Sequence, residues 1–325
     1  MQKAVYIVMI FLLALLVVNN ELTDQYVAML KVETNLASKE SDSLYEEIKS
    51  KAKEHEIPPA NAKIDRVWKA IPGYNGLKVD VEASYNQMKR SGHFNESKLI
   101  YKQVEPDVHL KDLPPAPIYK GNPEKPMISF IINVAWGEEY LLSILKTLKD
   151  NHVHATFFLE GRWVKNNPEL ARMIKEQGHE IGNHSYSHPD MKLLSAVKVR
   201  EEIRKTNAVI KATTGETPVW FAPPSGSYRD EVVKIASEEK MSTILWSVDT
   251  IDWRKPSPDE LINRVTTRVH NGAMILMHPT ESTAKAMDQL IKEMKRKDLQ
   301  IDTVTELLKE ERLMNVPNQI NRDYT

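Results

Sequence analysis

MISFIINVAWG, residues 127–137, decides the fold. A near-continuous run of strand-forming apolar side chains closes on Gly137, and Glu138 and Glu139 follow at once, acidic residues placed for the first turn of a helix. Further runs of the same kind lie at HATFFLE, GHEIGN, TPVWFAP, STILWSVD and GAMILMH. Helical patterns separate them, among them PELARMIKEQ, AVKVREEIRKTNAVIKAT and PDELINRVTTRV. Strand–helix alternation of this kind implies a parallel sheet with helices outside it, barrel or doubly wound.

The residues able to do chemistry sit where the strand patterns end. Ala135-Trp136-Gly137 close the first run and His184 follows GHEIGN. Pro223-Pro224 follow VWFA, Asp249 follows ILWSV and His278 follows AMILM. In a parallel β/α barrel the site gathers at the carboxyl ends of the strands, so these positions favour a barrel with a site at its mouth. GNHSYSHPD, residues 182–190, spaces His184 and His188 four apart; on a helical turn both imidazoles would share a face and could offer two nitrogens to one metal.

From residue 127 to 312 the chain resembles the polysaccharide deacetylase family, the NodB-homology carbohydrate esterases. The resemblance rests on INVAWG, GNHSYSH, FAPPSG, SVDTIDW and ILMHP in that order, supported by ATFFLEGRWV. It implies a distorted (β/α) barrel with fewer than eight repeats. It also implies a divalent metal, usually Zn2+, and hydrolysis of acetyl groups on amino-sugar polymers such as peptidoglycan or chitin. Carried over residue by residue, His184 and His188 would be metal ligands. His278 would be the general acid, with Asp249 hydrogen-bonded to its imidazole, fixing its tautomer and raising its pKa. Asp252 and Trp253 complete the family's D-x-x-D-W. Tyr186, Pro224, Ser225 and Trp253 are the candidate substrate-binding residues.

Two motifs depart from the family. Its T-F-D-D-G supplies a general base and a third metal ligand; aligned on Gly137, those positions here are Ala135 and Trp136. The arginine that pairs with the base falls on Ala222. The losses are coupled, because a buried guanidinium without its carboxylate would cost several kcal/mol. An indole cannot ligate, and if turned inward Trp136 would fill the space of a metal-bound water. Two imidazoles are a poor site, since catalytic zinc normally keeps three protein ligands. Glu138 and Glu139 fit helix-start stabilisation better than ligation, and Asp190 would need unusual geometry. The resemblance thus implies a deacetylase whose standard mechanism is disabled, or a non-catalytic glycan-binding or scaffolding protein in which Trp136, Tyr186 and Trp253 stack on sugars. A role in sporulation enters by resemblance only.

The remainder of the chain sets the surroundings. Lys3 precedes an unbroken apolar run, Ala4–Val18. Fifteen helical residues span about 22 Å, short of a bilayer core of about 30 Å, so residues 1–20 read as a cleaved signal or an uncleaved anchor. Either reading exports the rest of the chain, to be secreted to the wall or held at the membrane facing outside. Residues 21–60 read as a polar stalk and 61–110 as a small α/β module with Trp68 and Tyr74 in its core. The proline-rich 111–126 reads as a linker, 127–312 as the deacetylase-like domain and 313–325 as a tail. Lys+Arg 44 against Asp+Glu 45, with no basic stripe, speaks against nucleic acid as a partner, and the lack of cysteine excludes disulfides and thiolate metal sites.

Overall fold

A computed structural model describes residues 9, 20–26, 28, 29 and 43–313. Apart from Met9, the apolar run 4–18 lies outside the described residues, as do residues 314–325 of the tail. Among the described residues no helix is long and apolar enough to cross a membrane.

The chain divides into two compact units, one of residues up to Pro58 together with Leu77–Val104, the other of Pro59–Gly76 together with Glu105 onward. This redraws the expected boundaries. The stretch read as a stalk contains the helix Ser43–Lys51, whose Leu44 and Ile48 are buried with Val79, Tyr85 and Met88. A helix over Val81–Met88, capped by the Asp80 carboxylate, supplies the last two of these. The 61–110 module is divided between the units. Tyr74 is core as expected, but in the second unit, and Trp68 is only half-buried against Tyr119 and His270. Nor is 111–126 a free linker: Ile118 is buried, and its N–H donates to the Thr243 carbonyl while its own carbonyl accepts from Leu245.

The second unit is built on parallel strands: β1 (Met127–Val134), β2 (Thr156–Leu159), β3 (Glu180–Asn183), β4 (Trp220–Phe221), β5 (Ser242–Thr243), β6 (Val248–Asp249), β7 (Met274–Met277) and β8 (Gln300–Ile301). Their order is β6–β7–β1–β2–β3–β4–β5, with β8 beside the start of β1. Among the described residues no ladder joins β5 to β6, so the sheet curls without closing. STILWSVD, read as one run, is therefore two short strands, and β8 was not signalled by any apolar run.

Every side chain of β1 is buried, and strand alternation divides them between two cores. Ile128, Phe130, Ile132 and Val134 face outward onto Leu141, Ile144, Leu145 and Leu148 of the following helix, α1 (Glu138–Asp150). Met127 and Ile131 face inward with Phe158, Ala222 and Leu276. The register pairs Ile131 with Thr156 and Asn183 with Phe221, so the carboxyl ends of β1, β2 and β3 open on one rim. Gly137 makes the sharp exit from β1 to α1 at φ 85°. A Cβ there would lie 2.0 Å from the Pro279 carbonyl oxygen, so the first strand end is pressed against the segment that carries His278.

Candidate functional site

His184 leaves β3 fully buried, and its Nδ1–H donates to the Ala222 carbonyl at 2.7 Å. That bond fixes the tautomer and turns Nε2 into the pocket. Burial, reinforced by neighbouring His188, pushes its pKa down to about 3, so the ring is neutral. The segment after it is an irregular loop, not the expected helical turn. Left-handed backbone at Ser185 (φ 64°) and His188 (φ 55°) folds the second imidazole back until the ring centroids lie 5.1 Å apart. The loop is tied down by Glu202, whose carboxylate accepts from Tyr186 N–H, Ser187 N–H and Ser187 Oγ, each at 2.8 Å. Glu202 lies on α2 (Ala196–Thr214) and was invisible as a site residue, since EEIRK reads as an ordinary solvated helix face.

On the opposite rim the expected partner of His278 is replaced. Asp249 does not hold the imidazole: its Oδ1 accepts the Ile251 N–H at 2.8 Å, bracing the turn. Ile251 is left-handed (φ 55°), which reverses the chain and drives Asp252 beneath β7. Asp252 is wholly buried and accepts from His278 Nδ1–H at 2.8 Å, His278 N–H at 2.5 Å and Thr283 Oγ1–H at 2.7 Å. Three donors converging on a desolvated carboxylate make this the best-anchored group of the site.

Trp136 does not turn inward. It stands 45% exposed at the mouth and lies parallel to His278, centroids 5.8 Å apart and planes 7° from coplanar. Ala135, Trp136, His184, His188, Asp249 and His278 line one pocket of about 390 Å³. Ser225 and Trp253 of the expected substrate set line it too, as do Asn133 and Trp246, which sequence reasoning missed. Tyr186 and Pro224 do not. Tyr186 packs over Gly161, where a Cβ would meet its ring at 2.5 Å, and Pro224 is buried. Trp136 and Trp253 also border a second, larger cleft of about 700 Å³ with Tyr140, Lys255 and Lys285.

The residues present do not fit a catalytic metal. Two neutral imidazoles converge, but the third position is an indole committed to His278. Glu138 and Glu139 are exposed in the first turn of α1. Asp190 is used by Lys192 N–H and Ser227 Oγ. Among the described residues no group of three or more His, Asp or Glu side chains could hold a metal ion.

The polysaccharide deacetylase family model matches residues 120–244. A curled parallel sheet carrying this histidine loop, with close relatives from the same family, settles the class: the chain belongs to the polysaccharide deacetylase family, the CE4 carbohydrate esterases. It is 55% identical to a CE4 family pseudoenzyme from Bacillus anthracis, covering 84% of this chain and 97% of that one with a TM-score of 0.79. A mutant of that pseudoenzyme with restored enzymatic activity matches at 54% identity over 84% of this chain and all of that one, again at TM-score 0.79. Over 51% of this chain and 62% of the relative, it is 34% identical to the peptidoglycan-N-acetylglucosamine deacetylase of Bacillus cereus. The family's deacetylases are generally metal-dependent; at the positions that the resemblance assigns to the base, the metal carboxylate and the base's arginine this chain has Ala135, Trp136 and Ala222, and its standard mechanism is disabled.

Proposed function

We propose that the protein is a catalytically silent deacetylase homologue that binds the amino-sugar polymer of the cell wall, peptidoglycan in the first instance. It is exported by residues 1–20 and acts either tethered through the apolar run 4–18 or free in the wall. The observation that carries the reading is Trp136: the residue in the metal carboxylate's place stacks on His278 and borders both the histidine pocket and the larger cleft. Aromatic faces at the rim of an open groove suit sugar rings, whose C–H faces pack on indoles. The CE4 pseudoenzyme relative and the peptidoglycan deacetylase relative support the substrate class.

The test uses the full chain with purified peptidoglycan. Co-sedimentation without acetate release is expected, together with no zinc binding beyond that of His184→Ala. Acetate release that a chelator abolishes, or absence of co-sedimentation, would overturn the reading. Ala135→Asp, Trp136→Asp and Ala222→Arg combined should create a zinc site and hydrolysis, since base and metal each contribute orders of magnitude in rate.

A further inference from the structure

The hairpin Lys63–Ile71 lies outside the histidine pocket and leaves apolar side chains in water. Its strands, Lys63–Asp65 and Lys69–Ile71, pair with Asp65 opposite Lys69, so Arg66, Val67 and Trp68 form the tip. Ile64 is 46% exposed and Val67 66%. Trp68 is half-buried, edge-on to Tyr119 and with its ring 6.4 Å from that of His270. Apolar side chains left exposed together at one tip mark a surface that meets an apolar partner.

Cations surround these side chains. Lys63, Arg66 and Lys69 belong to the hairpin, and the Lys120 ammonium lies 5.0 Å from the centre of a Trp68 ring. The hairpin's single carboxylate, Asp65, is engaged by the turn, where its Oδ1 accepts the Val67 and Trp68 N–H groups at 2.7 and 2.8 Å. A second carboxylate, Asp107, stands at the base, where its N–H donates to Asn61. Four cations against Asp65 make the tip positive in a chain whose total charge is −1. Lys69 is left-handed (φ 58°), a conformation that glycine adopts freely and lysine only under strain. The strained position thus holds a cation beside the apolar tip.

We propose that this tip docks on an anionic phospholipid surface, with Ile64, Val67 and Trp68 entering the interface and the four cations meeting the headgroup phosphates. Tryptophan favours that depth, basic residues gain from the negative surface potential, and their long stems let the charges reach headgroups while apolar neighbours insert. A soluble anionic polymer would satisfy the charges but leave Ile64 and Val67 in water. Docking also orients the unit. His270, beside Trp68, precedes β7 and His278 follows it, so the tip and the pocket mouth lie at opposite ends of that strand. On a lipid surface the protein turns its pocket away from the membrane. The inference goes beyond the glycan-binding reading and stands without it.

The chain has no cysteine, so Val67→Cys supplies the sole thiol for an environment-sensitive fluorophore on the full chain. The readout is local, so binding through residues 4–18 does not register. Vesicles of mixed phosphatidylglycerol and phosphatidylcholine should shift the emission to the blue and shield the label from an aqueous quencher, and added salt should reverse both. Vesicles of phosphatidylcholine alone should do neither, and the mixed vesicles should not shift a label at Leu193→Cys, exposed elsewhere on the same unit. Each cation near an anionic surface is worth about fivefold in partitioning, so Lys63→Gln with Arg66→Gln should raise the lipid needed for half the shift about 25-fold. Lys69→Gly relieves the strained backbone and should still weaken docking about fivefold. No shift at position 67 with the mixed vesicles, an equal shift with phosphatidylcholine alone or at Leu193→Cys, or a shift that the cation variants leave unchanged would overturn the proposal. A shift given by soluble polyphosphate and not by vesicles would put a soluble polyanion in place of lipid and overturn it too.

Discussion

Asp252→Ala should be among the most damaging single changes at the pocket. The carboxylate is 0% exposed and receives three donors, from the His278 ring, the His278 backbone and Thr283. Truncation leaves all three without an acceptor, at about 1–3 kcal/mol for each one that stays buried. The Thr283 hydroxyl can rotate and the His278 ring is 19% exposed, so the sum is not fully realised. The net cost should be about 3–5 kcal/mol, the range for breaking a buried charged pair. Asp249→Ala removes one bond, to the Ile251 N–H, on a partly exposed residue and should cost about 1 kcal/mol. Urea unfolding of the full chain, followed by circular dichroism, measures both. Nitrogen-15 spectra of the histidines should show His278 protonated on Nδ1 in the parent and that preference lost in Asp252→Ala. A cost below about 1 kcal/mol for Asp252→Ala, or a larger one for Asp249→Ala, would refute the assignment.

Gly137→Ala should destabilise by at least about 2 kcal/mol in the same assay, because φ 85° is strained for alanine and its Cβ collides with Pro279; a cost within experimental error would show that the strand end is free to move. Glu202→Ala should raise hydrogen exchange of the Tyr186 and Ser187 amides at least about tenfold by removing their acceptor, and unchanged protection would mean that the loop is held elsewhere. His179 is buried, with its Nδ1 accepting the Ala155 N–H, and burial lowers its pKa from 6.5 to about 4. The unfolded chain therefore binds the extra proton first, so stability is full above about pH 6.5 and falls by about 3 kcal/mol in total as pH drops to about 4. His179→Leu should lower the slope of stability against pH in that window by about one proton, and an unaltered slope would remove His179 from the account.

The amino-acid sequence by itself determined the parallel strand–helix architecture, the rim on which the site lies, the pairing of His184 with His188 and the losses at Ala135, Trp136 and Ala222. These are properties of local pattern: apolar runs specify buried strands, and a strand's end specifies the rim. What it left undecided depends on backbone reversals and on side chains from distant segments. Asp249 and Asp252 are three apart, and only the left-handed Ile251 decides which of them reaches His278. Tyr186 stands between two pocket histidines in the chain, yet the loop that Glu202 holds from another helix turns it away onto Gly161. Trp136 could face in or out by sequence alone; the packing of Gly137 against Pro279 brings its indole alongside His278. Asn133 and Trp246 looked like strand filler because a strand's inward face is defined only once the sheet curls around it. Loop handedness and through-space partners are fixed by the closing of the fold, which is why the tertiary structure, and not the local pattern, chose the residues that surround the pocket.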